Sequence, residues 1–176
     1  VKTSEQIDLL QSAAEAAEYA ATETLSIASV GSSWRELSDL YRFKLAEHGA
    51  ELDHFSGSPT GFGQATHNDF RLPESGSMYF DHGCRLRSWF SDTGHTIAFG
   101  PPDEECLRRQ AALQNALLTG AEHLSPGRPA SAAAIAMNEV LISTGLKGFP
   151  HGHGIGLEVR EYPILVPDSG LLIRCL

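Results

Sequence analysis

The sequence predicts an α+β fold in which helices cover one side of an antiparallel sheet. Two observations predict it. Pairs of amphipathic helical stretches are followed by groups of short strand-like runs, and this order occurs twice along the 176 residues. Glycines separate the first strand-like runs, which favours tight turns and an antiparallel meander. The length is that of one domain with a hydrophobic core, so we expect a single domain over residues 1–176.

Four stretches have apolar residues at helical spacing along one face. In the first stretch, Ile7, Leu10, Ala14 and Leu25 belong to such a face. Glycine or a proline-glycine turn follows each stretch, as is typical of helix ends. The predicted helices are residues 3–29, 33–49, 101–124 and 130–145.

Strand-like runs follow each pair of helices. Residues 50–75 are rich in turn formers and are expected to be irregular, with only short strands. Turns at Gly83 and Gly94 would connect three consecutive strands. The predicted strands are residues 77–81, 85–92, 95–100, 162–165 and 171–176.

Composition excludes several classes of protein. The net charge is −9, from 22 acidic and 13 basic residues, which argues against a nucleic-acid partner because such surfaces need clustered Lys and Arg. The three cysteines are scattered and form no Cys-x-x-Cys pair, so we expect a reducing, cytoplasmic compartment. No apolar run approaches the roughly 18 residues of a membrane span, and the opening VKTSEQIDLL lacks a signal-peptide core.

Two aspartates on the predicted meander are candidate ligands. Asp81 ends one predicted strand and Asp92 ends the next, so antiparallel pairing would bring their carboxylates together. Two carboxylates forced close repel unless a cation lies between them. The alternative is two separate strand-end aspartates, one of which caps a turn.

A glycine-rich segment, HGHGIGLEVREYP at residues 151–163, offers an imidazole. Glycines on both sides of His153 would let the backbone approach a metal closely. The alternative is a loop histidine in a flexible turn. Together with Asp81 and Asp92, His153 completes an oxygen and nitrogen donor set that suits Mn²⁺, Co²⁺, Zn²⁺ or Fe²⁺.

Three motifs, in the same order, resemble the pita-bread metallopeptidases, which are the methionine aminopeptidase, Xaa-Pro aminopeptidase, prolidase and creatinase family. FDHGCRLRSWFSDTGHTIAFG is similar to the strand pair of that family, GHGIGLEVREYP to its histidine segment, and LSPGRPAS to its Pro-Gly turn. The start of the chain resembles the first helix of the family's catalytic domain. The matching residues of the strand pair are Asp81, Gly83, Ser91, Asp92, Thr96 and Gly100.

The resemblance implies a metal site and a reaction. Asp81, Asp92 and His153 would be metal ligands, with Asp92 bridging two divalent ions and two later glutamates completing the site. The expected activity is metal-dependent removal of an N-terminal residue from a peptide, mainly before proline, by a hydroxide held between the ions. The family also implies a homodimer.

The chain departs from the family pattern at its C-terminal segment. Leu176 falls at the place of one ligand glutamate, and the strand of the last glutamate does not appear. The resemblance therefore implies a pita-bread fold without its last strands and three of the family's ligands. We expect activity of the protein that contains this chain rather than of these residues alone.

Further departures concern the residues that would meet the substrate. Arg160 replaces a family histidine, and an arginine can act only as a fixed positive charge. His67 is the candidate for the catalytic histidine before the first aspartate strand, with His54 as the second choice. His151 would replace a family histidine whose place is taken by Phe149, although it can equally be a solvent-exposed loop residue.

Two functions from different classes remain open on the sequence. The first is a prolidase-like or Xaa-Pro aminopeptidase-like metallohydrolase. The second is a catalytically degenerate pita-bread module that binds peptides or protein partners, which Arg160, the missing glutamates and the Gly94-His95 pair favour. Xaa-Pro hydrolysis with divalent metal would distinguish the first from chelator-indifferent peptide binding.

Overall fold

A computed structural model describes residues 2–59, 67–148 and 152–174. The chain divides into two compact units. The N-terminal unit consists of Ser4–Pro102 with Gly156–Val159, and the C-terminal unit of Val1–Thr3, Asp103–Ile155 and Arg160–Leu176. No helix in the described part of the chain combines the length and apolar character that a membrane span requires.

The N-terminal unit is a helix pair on an antiparallel sheet. Strand β2 is central, because it pairs antiparallel with β1 along one edge and with β3 and β4 along the other. The elements are α1 (Ser4–Ser26), α2 (Trp34–Glu47), β1 (Glu51–Ser58), β2 (Gly76–Leu86), β3 (Trp89–Phe90) and β4 (Thr93–Phe99).

The core of this unit lies between the helices and one face of the sheet. Helix α1 contributes a row of buried alanines, whose small side chains let the helix approach the strands closely. Helix α2 contributes large side chains, and Trp34 stacks on Phe55 with ring centroids 4.9 Å apart. Tyr41 stacks on the same Phe55 at 4.6 Å. The other buried members include Leu37, Leu45, Leu72, Met78, Phe80, Cys84 and Phe99.

Alternation along β2 gives the sheet two different faces. Met78, Phe80 and His82 are buried and belong to the helix-covered face. Tyr79 and Asp81, which alternate with them, belong to the other face and are partly exposed. The two-residue repeat of the strand therefore places Asp81 and Tyr79 on the face of the sheet opposite to the buried core.

Two expectations about the strands were wrong. The predicted irregular stretch contains the strand Glu51–Ser58, and Gly83 and Gly94 lie inside β2 and β4 rather than at turns. A Cβ on Gly83 would lie 2.3 Å from the Ser91 carbonyl oxygen and 2.5 Å from Cε1 of His54. This glycine therefore provides room within a strand. The turn occurs later, where Arg87 and Ser88 have φ of 49° and 70°.

The C-terminal unit is built around a helical hairpin. Its elements are α3 (Glu104–Glu122), α4 (Ala130–Ser143), β5 (His153–Gly154) and β6 (Glu161–Ile164). The helices pack through Ala116, Met137 and Leu141. The predicted strand at 171–176 is not formed over its described part, where Leu172 makes only an isolated bridge with Pro129.

Gly57→Ala tests the packing of the N-terminal unit. A Cβ at this position would lie 2.7 Å from Cη2 of Trp34, and the indole cannot move without disturbing its ring stack. We expect the free energy of unfolding to fall by about 1–3 kcal/mol, as is typical of overpacking, in denaturant titrations followed by tryptophan fluorescence. The neighbouring change Ser56→Ala, on the opposite face of β1, serves as the control and should stay within about 0.5 kcal/mol. A Gly57→Ala variant as stable as the parent would contradict the described packing.

Candidate metal centre

Three titratable side chains meet on the face of the sheet away from α1 and α2. His54 lies on β1, Asp81 on β2, and Asp92 in the connection just before β4. The register pairs His54 with Gly83 and Asp81 with Gly94. The three side chains therefore come from adjacent strands, although they are far apart along the chain.

A bulge in β1 adds a fourth group. The register shifts between Leu52 and His54, which leaves Asp53 as an extra residue in the strand. Bulges bend a strand and redirect its side chains. In this place the carboxylate of Asp53 reaches the imidazole of His54, with Oδ2 2.7 Å from Nδ1.

The imidazole of His54 lies among the carboxylates. Its Nε2 is 3.3 Å from Oδ1 of Asp81 and 3.6 Å from Oδ1 of Asp92. Ligand atoms of His54, Asp81 and Asp92 all lie within 4.8 Å of one another. Their side chains are 25–30% exposed, so the cluster is half-buried and still open to small solutes.

The charge state of His54 follows from these contacts. Burial lowers the pKa of His54, but hydrogen bonds to Asp81, Asp92 and Asp53 outweigh burial and raise that pKa from 6.5 to about 10. The ring is therefore a cation at neutral pH in the absence of other positive charge. It balances part of the negative charge that the three carboxylates concentrate at this point.

Tyr79 extends the cluster along β2. Burial raises the pKa of Tyr79 to about 12, with further contributions from the charges of Asp81 and Asp92 and from a hydrogen bond to Asp81. The phenol therefore keeps its proton and donates to the Asp81 carboxylate. A Cβ on Gly94 would lie 2.8 Å from Cε2 of Tyr79, so the glycine makes room for this ring.

Backbone contacts hold Asp92 in place. The preceding residue, Ser91, is buried, and its backbone N–H donates to the Cys84 carbonyl oxygen at 2.9 Å. The Ser91 hydroxyl in turn accepts from the Cys84 N–H at 3.0 Å. On the other side, Phe90 N–H donates to the Gly156 carbonyl at 2.9 Å. Hydrogen bonds to Cys84 of β2 and to the backbone of Gly156 therefore fix the segment that leads to Asp92.

The residues of this cluster fit a divalent ion. Two carboxylates and one imidazole form a mixed oxygen and nitrogen donor set, which suits Mn²⁺, Co²⁺, Zn²⁺ or Fe²⁺. Gly83 keeps the space beside the His54 ring clear, because any side chain there would collide with it. The cluster can bind a cation through Asp81 and Asp92, with His54 either deprotonated as a further ligand or turned aside.

The other residues predicted from the sequence belong to other segments of the chain. His153 lies on β5 in the C-terminal unit, where its Nδ1 is 2.9 Å from the Gly154 carbonyl oxygen. Arg160 is exposed and belongs to the same unit. His67 is in the N-terminal unit, where its side chain is 88% exposed and its Nδ1 lies 3.9 Å from Asp69. His151 lies outside the described residues.

Sequence reasoning missed three members of the cluster, Asp53, His54 and Tyr79, and Asp53 was not considered. His54 was considered only as a second choice for a catalytic histidine, and the bulge that redirects it leaves no signal in the residue pattern. Tyr79 was not considered at all. Its signal was the alternation of Tyr79, Asp81 and Gly83 along one strand, which the expected turn at Gly83 concealed.

The raised pKa of His54 predicts a pH-dependent stability of the metal-free N-terminal unit. The folded protein holds the His54 proton more tightly than the unfolded chain, so this contribution is complete below pH 6.5 and is lost as the pH rises through about 10. In chelator-treated protein, the difference in unfolding free energy between the parent and His54→Gln should therefore shrink over this range, by on the order of a few kcal/mol. Denaturant titrations at several pH values measure it. A difference that stays constant with pH would contradict the charge assignment.

Comparisons with known proteins identify the family of this chain. The model of metallopeptidase family M24 matches residues 8–173. An uncharacterized peptidase of Bacillus subtilis, YqhT, is 27% identical over 99% of this chain and 52% of its own length. A Xaa-Pro dipeptidase of Pyrococcus furiosus is 26% identical over 93% of this chain and 49% of its own length. The chain thus spans about half the length of these curated relatives.

The comparison of folds gives the same result. The structure of the prolidase from Pyrococcus furiosus superposes with a TM-score of 0.89 and 22% identity, over 99% of this chain and 54% of that one. The expected α+β pita-bread fold is confirmed. Because the family model matches nearly the whole chain, the chain belongs to metallopeptidase family M24, whose members are divalent-metal-dependent peptidases.

Proposed function

We propose that the protein containing this chain is a metal-dependent hydrolase that removes the N-terminal residue of peptides, mainly in front of proline. The observation that carries the proposal is the meeting of Asp81 and Asp92 beside an imidazole. Membership of family M24 supports a peptidase. Relatives at 26% and 25% identity that are named Xaa-Pro dipeptidases support the preference for proline.

In this proposal Asp81, Asp92 and His153 would be ligands of two divalent ions. Bound ions of this kind supply a hydroxide near neutral pH and polarise a carbonyl group. The protein's own contribution is to concentrate negative charge on one rigid sheet face. Tyr79 keeps the Asp81 carboxylate oriented through its hydrogen bond, and the contacts of Ser91 position Asp92.

Three residues are proposed for contacts with the peptide. Arg160 would supply a fixed positive charge to a carbonyl or carboxylate oxygen of the substrate. His67 would be the catalytic histidine that precedes the first aspartate strand, and His151 would take the place of the family histidine that precedes the metal-binding histidine. Manganese as the ion, a homodimer and a cytoplasmic location stay predictions.

One observation favours the second candidate, a peptide-binding module without metal. The imidazolium of His54 already balances part of the charge of Asp81 and Asp92. A divalent ion carries charge of the same sign and would compete with it. A cluster that is stable without metal suits a domain that binds peptides whether or not a chelator is present.

Asp92→Asn tests the proposed hydrolase activity. The change keeps the size of the side chain but removes the charge that binds a cation. We expect kcat/KM for Xaa-Pro peptides with Mn²⁺ or Co²⁺ to fall at least roughly 100-fold. Loss of a residue that only supports a metal ligand already costs up to about 100-fold, and loss of the ligand itself should cost no less. The assay uses the full protein that contains this chain. Asp39→Asn, the same chemical change on the exposed surface of α2, is the matched control and should retain the parent rate.

Two results would contradict the proposed hydrolase activity. The first is a parent protein without hydrolysis under any of the four divalent ions. The second is an Asp92→Asn variant that hydrolyses Xaa-Pro peptides as fast as the Asp39→Asn control. Peptide binding that is unchanged by chelator, together with the first result, would support the binding module.

A further inference from the structure

A second group of ligand-type side chains lies on the helix-covered face of the same sheet. Glu18 comes from α1, His82 from the middle of β2 and His95 from β4. Ligand atoms of these three residues all lie within 4.8 Å of one another. Because His82 follows Asp81 directly in β2, its side chain points to the opposite face from the candidate metal centre.

We propose that Glu18, His82 and His95 form a second divalent-cation site, specific for a borderline ion such as Zn²⁺ or Co²⁺, that fastens α1 to the sheet. Two imidazoles and one carboxylate are a common ligand set for zinc. The site lies outside the residues proposed for hydrolysis. It does not depend on the proposed function.

The state of His82 is the observation that points to a ligand. Its side chain is completely buried, and its Nε2 has no hydrogen-bond partner among the described residues. Its Nδ1 lies 3.4 Å from the hydroxyl of Tyr41. In the tautomer that donates Nδ1–H to Tyr41, Nε2 keeps a free lone pair, and a histidine ligand is commonly oriented by such a partner.

The remaining two proposed ligands, His95 and Glu18, are partly exposed to solvent. Nε2 of His95 lies 3.0 Å from Oε2 of Glu18, and the two side chains are 41% and 40% exposed. An exposed pair of this kind contributes little to stability by itself. The rings of His82 and His95 are stacked, with centroids 5.2 Å apart and planes at 8°. The partly exposed side chains of His95 and Glu18 would therefore give an ion access to the site from solvent.

The expected role of the ion is structural. Its ligands come from a helix and two strands, so binding would join elements that are distant in sequence. An ion that binds only the folded state stabilises that state in proportion to its concentration and affinity. This would also satisfy the buried nitrogen of His82, which otherwise lacks a partner among the described residues.

The test removes the candidate metal centre first. In the Asp81→Asn, Asp92→Asn double variant of the full protein, one Zn²⁺ ion should still bind at the Glu18, His82 and His95 site. Its binding should raise the midpoint temperature of thermal unfolding. Adding Glu18→Gln or His95→Gln should abolish the shift and weaken that binding at least tenfold, as measured by calorimetry and by metal analysis after desalting. Glu15→Gln, the same change on an exposed position of α1, is the matched control and should keep both effects.

A second measurement covers the case in which the double variant does not fold. Each change is then made alone, with Asp81 and Asp92 intact. His95→Gln should bind one Co²⁺ fewer than Glu15→Gln, and the absorption bands of a nitrogen-ligated cobalt should be lost. Equal ion counts and equal midpoints for His95→Gln, Glu18→Gln and Glu15→Gln would overturn the site. Because activity is not part of either measurement, failure of this site and failure of the hydrolase proposal are distinguishable.

Discussion

Strand β2 has to satisfy two environments at once, and most of the structure follows from that constraint. Its alternate side chains must fill the core under α1 and α2, where Met78 and Phe80 are completely buried. The intervening residues must leave that core, because an ionised carboxylate such as Asp81 is very unfavourable in an apolar interior. The two-residue period of a strand separates these demands without any irregularity in β2 itself. The candidate metal centre and the helix-facing core are therefore two sides of one element.

The carboxylate face raises a problem of charge that the protein solves locally. Asp53, Asp81 and Asp92 all contact the His54 ring, and without a positive charge their mutual repulsion would destabilise the strands that carry them. His54 supplies that charge from within the fold. A divalent ion would supply more charge, but its net affinity is reduced by the free energy of the His54 contacts that it replaces.

The sequence predicted the helices well and the strands less well, for physical reasons. Long periodic stretches placed the first two helices at 3–29 and 33–49, close to the observed α1 and α2. Gly83 was taken for a turn because glycine is common in turns, whereas its bare Cα is needed where Ser91 and His54 approach the strand. Only tertiary neighbours distinguish these two uses of glycine. Strand β1 was missed because its polar residues, including His54, resemble a loop when the strand that pairs with them is unknown.

The candidate site was predictable to the extent that it depends on strand pairing. Asp81 and Asp92 were expected to converge because residues 77–81 and 85–92 were taken for adjacent antiparallel strands. Those two segments do not pair, since Arg85 and Leu86 continue β2 itself. The carboxylates meet because Asp81 pairs with Gly94 in β4, which begins directly after Asp92. His54 enters through a bulge, and bulges are set by packing rather than by residue type.

The helix-facing histidines show why an unexplained buried group can be more informative than a motif. No sequence motif assigns a ligand role to His82, and His95 lies at a departure from the family pattern. Each residue alone has an ordinary explanation: a strand residue that fills space, and half of an exposed ion pair. Their stacking beside Glu18 makes the ordinary explanations insufficient, because an ion pair at the surface does not account for an imidazole nitrogen that is buried beside it and lacks a partner among the described residues. A shared ion accounts for both residues and for the position of Glu18 on α1.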